Sequence, residues 1–109
     1  MNLNMKIKIK AATGQRDKND LIGCYFQQDE APATTYTFYN YQGTALATGI
    51  TSDTQFSFSF PAIPSITWKI TPTIVPDTSA SGPWSIDNEE ESGFWTAEAE
   101  PIPAGERLQ

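Results

Sequence analysis

Gln55-Phe56-Ser57-Phe58-Ser59-Phe60 alternates without a break. A period of two places the three phenylalanines on one face and the serines on the other, which is the pattern of a half-buried strand. Three phenylalanines on one face make either a core face or a large binding face. Downstream, Pro61 and Pro64 bracket a short connection, and the alternation resumes with Ile66, Trp68 and Ile70 opposite Thr67, Lys69 and Thr71. Upstream, Ser52-Asp53-Thr54 reads as a turn, and Thr44 to Ile50 as the returning strand of a hairpin. Its partner is Thr34 to Tyr41, rich in β-branched and aromatic residues. The hairpin turns at Asn40-Tyr41-Gln42-Gly43, where glycine is free to take positive φ.

The same period governs the N-terminus. Leu3, Met5, Ile7 and Ile9 face one way, and Asn4, Lys6, Lys8 and Lys10 the other. If this strand lies at an edge, its lysines discourage unwanted pairing. Residues 13–20 read as a loop. Leu21 to Gln27 predicts a strand with Ile22, Cys24 and Phe26 on one face, ended by the Pro32 segment. Pro72 and Pro76 weaken the stretch between them as a central strand, and residues 76–83 predict a loop. Trp84 to Asp87 and Phe94 to Ala99 predict a last hairpin around residues 88–93. No segment holds a helical period. The expected fold is all-β: one small antiparallel β-sandwich, Ig-like or jelly-roll-like, of about eight short strands, with a small β-barrel as the alternative. The β-domain is expected over residues 1–99, with residues 100–109 as an extended, proline-containing tail.

Composition bounds the function. The 109 residues are 39% hydrophobic, 12% aromatic and 18% charged, a globular rather than a disordered profile. Such a length suits one domain that buries roughly 60–70% of its unfolded surface. Net charge is −6, which disfavours nucleic acid as a partner. Lys6, Lys8, Lys10, Arg16 and Lys18 crowd the first 18 residues, whereas only Lys69 and Arg107 lie beyond. No apolar run approaches the ~20 residues that span a bilayer as a helix. The start of the sequence lacks the apolar core of a signal peptide. The expectation is therefore a chain made and folded in a cytoplasm, with no membrane partner.

Chemistry-bearing residues are sparse. Histidine is absent, so the usual general base and the commonest transition-metal ligand are missing. The lone Cys24 sits in an apolar run with nothing basic beside it, which predicts a buried structural thiol. Asp29, Glu30, Asp87, Glu89, Glu90 and Glu91 could pair for glycosidic chemistry, but all sit in polar turns, which suit solvated carboxylates better than a hydrolytic pair. The 87–91 cluster lacks the spacing and internal glycine of an EF-hand loop. We therefore expect no enzyme activity and no cofactor.

The aromatics and the tail point to contacts instead. If Phe38, Phe56 and Trp68 fill the core, some of Tyr39, Tyr41 and Trp95 must face outward. Exposed aromatics stack on sugars or bury themselves in protein interfaces. Ordering the ten tail residues costs on the order of 10–20 kcal/mol of backbone entropy. Burying Ile102 and Leu108 returns only about 1.5–3 kcal/mol each, so other surfaces would have to supply the rest. Lys6, Lys8, Lys10, Tyr39, Tyr41, Trp95, Pro101, Ile102, Pro103 and Leu108 are the expected interface residues. The expected role is a non-enzymatic subunit of a homo- or hetero-oligomeric assembly, such as a head-decoration or accessory protein of a bacteriophage virion. The alternative is a carbohydrate-binding or receptor-binding module.

Overall fold

The computed structural model describes residues 5–14, 19–87 and 91–102. The elements are β1 (Met5–Ala12), β2 (Tyr25–Gln28), β3 (Tyr36–Tyr39), β4 (Ala45–Ile50), β5 (Phe56–Phe58), β6 (Trp68–Ile70), β7 (Thr73–Val75), β8 (Ser79–Ile86) and β9 (Ser92–Pro101). All described pairings are antiparallel. They form one sheet in the order β4-β3-β2-β1-β9-β8-β6-β5, with β7 attached to β8 off that path. The two ends of the path, β4 and β5, are consecutive in sequence and lie side by side. Phe56 on β5 meets Phe38 on β3 at 5.4 Å and Phe26 on β2 at 6.2 Å between ring centroids. The sheet thus curls almost into a barrel, closed at the β4–β5 seam by side chains.

Alternation sorts the residues as the period of two requires. Ile7 and Ile9 enter the core with Phe26, Phe38, Phe58, Trp68, Ile70, Trp84 and Trp95, all buried. Their aromatic rings form a chain of contacts, ending with Trp68 against Trp84 at 5.3 Å. Such contacts add about 0.5–1.5 kcal/mol each beyond buried area.

β1 is not an edge strand. It lies between β2 and β9, so its lysines guard no edge. They gather instead around one carboxylate on the neighbouring strand. Lys10 Nζ donates to Glu100 Oε2, while Lys6 and Lys8 stand 3.9 and 3.8 Å from Oε1. Lys6 also lies over the Tyr25 ring at 4.8 Å. The Lys10 hydrogen bond chiefly holds the Glu100 carboxyl below its ordinary value; burial pushes the other way, and the charges of Lys8, Lys10 and Lys6 add to the lowering. A carboxyl depressed in the fold contributes stability above its unfolded-state value and loses it as pH falls through the folded one. The urea midpoint should therefore drop on acidification below about pH 4.5, and Glu100→Gln should flatten that drop. An unchanged pH profile in the variant would deny the cluster its role.

Three expected boundaries shift, the first two for a packing reason. The region 76–83 is a loop only at its start, because Ser79 to Pro83 belong to β8. Pro83 cannot donate, but its carbonyl accepts from Thr71 N and from Trp95 Nε1 at 3.4 and 3.3 Å. Gly82 is required beside it, since a Cβ there would lie 2.0 Å from the Thr71 carbonyl oxygen. The second strand begins at Tyr25 rather than Leu21. Residues 21–24 form a turn in which Cys24 N donates to Leu21 O at 3.1 Å and Gly23 adopts φ 93°. The turn buries Leu21 and leaves Ile22 exposed, the reverse of what continued alternation predicts. β9 also runs through Pro101, which pairs with Met5, so the first two residues of the expected tail lie in the sheet.

Candidate binding groove

Three connections converge at one end of the barrel. The first is the 19–23 turn, where Ile22 N donates to Asn19 O at 3.3 Å. The second is the β3–β4 turn. There Asn40 Oδ1 accepts from Gln42 N and Thr44 N, both at 2.9 Å, and Gly43 takes φ 89°. This side chain does the work of a backbone turn and holds Tyr41 at the tip. The third follows β5, where Ile63 N donates to Phe60 O and Ile66 N to Ile63 O. Pro61 and Pro64 prevent these residues from joining a ladder, so Ile63 is turned outward.

Between the three lies an open groove of about 810 Å³, lined mainly by Ile22, Tyr41, Phe60, Pro61 and Ile63, with Asp20 among its polar residues. Among the described residues, five large hydrophobic side chains are exposed, and three of them are Ile22, Tyr41 and Ile63. The Tyr41 side chain is 69% exposed and Ile63 48%. Gly23 sets the spacing, because a Cβ at this position would touch Tyr41 Cβ at 3.0 Å. Clustered exposed apolar residues mark contact surfaces, whereas scattered ones need no explanation. Buried near the same turn is Cys24, whose Sγ donates to Asp20 O at 3.6 Å. Burial pushes its thiol up to about 12, against a smaller lowering by the Tyr41 backbone. A thiol that stays protonated at neutral pH suits the structural role expected of it.

The structure divides the expected contact residues. Tyr41 is in the groove. Tyr39 is half-buried on the barrel's outer face, stacked on Tyr25 at 5.0 Å. Trp95 is a correction: it is 1% exposed, stacks on Phe26 at 5.7 Å and donates to Pro83 O, so it offers nothing to a partner. Lys6, Lys8, Lys10 and Pro101 sit on β1 and β9, and none of them lines the groove. Ile102 is half-buried just after β9. Pro103 and Leu108 lie outside the described residues, as do Glu89 and Glu90 of the acidic turn. Of the other carboxylates weighed, Asp29 accepts from Thr35 and Thr37 hydroxyls at 2.6 and 2.7 Å, and Asp87 pairs with Lys69 at 3.0 Å. Among the described residues no three His, Cys, Asp or Glu side chains gather to hold a metal. Compared with protein-family models, curated proteins and solved structures, the chain gives no match.

Proposed function

We propose that this chain is a non-enzymatic interaction subunit that binds a protein neighbour through the groove at the Tyr41 end of its barrel. A virion accessory subunit remains the setting we favour, on the type of domain alone. The observation that carries the binding role is the gathering of Ile22, Tyr41 and Ile63 around one groove. Apolar walls with an aromatic at the rim suit a protein contact, where buried aromatic anchors supply much of the affinity. Aliphatic side chains in two of the three walls suit a sugar less well. The Tyr41 ring beside Gln42 and Asn19 keeps the carbohydrate reading as the second one, because a flat exposed ring can stack on a pyranose while amides bond its hydroxyls.

Amide hydrogen exchange separates the two. In complex with its protein neighbours, the chain should gain protection at residues 19–23, 40–44 and 60–63, while the β7 strand at 73–75 stays unchanged. Protection at those three segments induced by glycans, and not by proteins, would transfer the site to carbohydrate. No change at any of them under either condition would overturn the groove as a binding site.

A further inference from the structure

We infer that the groove takes residues 103–109 of a second copy of this chain, so that copies join head to tail. This rests on the groove being a protein-binding site. The polarity of the barrel comes first. Pro101 pairs with Met5, and Lys6 pairs with Gln27 near the end of β2. The groove lies beyond the opposite end of β2, where Tyr25 faces Tyr39 just before the Asn40 turn. The β5–β6 wall gives the same answer. Phe58 pairs with Trp68, and Trp68 with Ile86, close to where Ser85 meets Ser92 at the start of β9. The chain leaves the barrel at one end and the groove opens at the other.

The chemistry of the two partners matches. Pro103-Ala104-Gly105-Glu106-Arg107-Leu108-Gln109 carries one large apolar side chain next to one cation. The groove offers apolar walls for Leu108 and the Asp20 carboxylate for Arg107. Beyond residue 18 the sequence holds two cations, and the other, Lys69, is bridged to Asp87. Pro103 lowers the backbone entropy lost on docking. Reach favours a neighbour over the chain's own groove. From Pro101 back to Ser92 along β9 is about 30 Å at the usual rise per residue. Leu108 lies seven residues beyond Pro101, about 25 Å at most when fully extended, so it falls short of its own groove. Repeated between copies in the same orientation, a contact between unlike ends makes rings or filaments.

The test uses the full-length chain and two variants in sedimentation velocity across a wide concentration range. Ile63→Asp spoils the groove and Leu108→Asp spoils the segment; near-ultraviolet circular dichroism confirms that both keep the native core. The wild type should grow past dimer as concentration rises. Each variant alone should associate at least ~10-fold more weakly, the scale of losing one apolar anchor. An equimolar mixture should form dimers that grow no further, since one intact groove then meets one intact segment. Asp20→Arg and Arg107→Asp should each weaken association and restore it when combined. If Leu108→Asp associates like the wild type while Ile63→Asp does not, the occupant is wrong and the groove reading survives. If neither variant changes association, and the groove segments show no protection in any complex, both readings fall. A monomeric wild type at every concentration overturns the second copy as occupant.

Discussion

Gly93→Ala should cost the fold about 2–6 kcal/mol, a large share of the roughly 5–15 kcal/mol that holds a domain of this kind together. The reason is a close approach between segments distant in sequence. Trp84 Nε1 donates to the Thr13 carbonyl at 2.8 Å, and Gly93 pairs with Trp84 across the β8–β9 ladder. A Cβ at position 93 would lie 1.9 Å from the Thr13 oxygen and 2.6 Å from Trp84 Nε1. Neither atom can move cheaply. Thr13 N donates to Phe94 O at 2.7 Å, and Trp84 is 1% exposed and packed on Trp68. The methyl must therefore part the indole from its acceptor. Overpacking of a tight core costs about 1–3 kcal/mol, and a buried donor without its partner about 1–3 kcal/mol more. Gly49→Ala provides the contrast. Its φ is 68° and nothing lies within 4 Å of the added carbon, so the backbone cost of a left-handed residue alone applies, about 1–2 kcal/mol. Urea unfolding followed by tryptophan fluorescence measures both. Equal losses at the two glycines would mean that the Thr13–Trp84 approach is not the constraint.

That approach could not have been read from the sequence, and the reason separates what was legible from what was not. The period of two is a local property. It placed Phe58, Trp68 and Ile70 inward, and it placed Ile7 and Ile9 opposite the lysines of β1. It also contained more about Trp95 than the exposed reading used. Trp95 alternates with Thr96 and Glu98 and shares its face with Ala97, so a water-facing Glu98 sends Trp95 inward. Residues 79–83 were hidden because Ser, Gly and Pro describe a loop by composition. In the fold, Gly82 is a close-approach site and Pro83 an acceptor, both created by Thr71 on a neighbouring segment. The Leu21–Ile22 exchange comes from a turn that interrupts alternation by one step, and in a strand such a slip reverses every face. The groove was the least visible feature. Its walls come from residues 19–23, 40–44 and 60–63, and only the folded sheet brings them to one end. Tyr41 could be suspected because it sits at a turn tip. Ile63, between two prolines, carried a usable signal: a segment that cannot enter a ladder need not bury its side chain.

Phe38→Ala should cost about 3–5 kcal/mol, the usual scale for removing a buried phenylalanine, but its signature should be local. Phe38 is fully buried and touches Phe26 at 4.8 Å, Phe56 at 5.4 Å and Phe58 at 5.1 Å. Two of these rings belong to β5, on the far side of the seam. β4 and β5 share no described ladder, so the rings carry the closure that hydrogen bonds carry elsewhere in the barrel. Removing the central ring should weaken the seam before it weakens the β1–β9 or β8–β9 pairs, which have long registers of their own. Partial opening of this kind has its own free energy, below that of global unfolding. Hydrogen exchange should then show early loss of protection at residues 56–58, with β1 and β9 retained. Ile9→Ala, a buried truncation in β1, should lower global stability by about 2–5 kcal/mol without that preference. Uniform loss in both variants would mean that the barrel opens as one unit and the seam is no weaker than its ladders. The seam also bears on the groove. Phe60, on the groove wall, stands edge-on to Phe58 at 5.3 Å and to Trp68 at 5.5 Å. A loosened β5 should therefore shift the wall that Phe60 and Ile63 provide, and Phe38→Ala should weaken binding at the groove from a position that touches no ligand there.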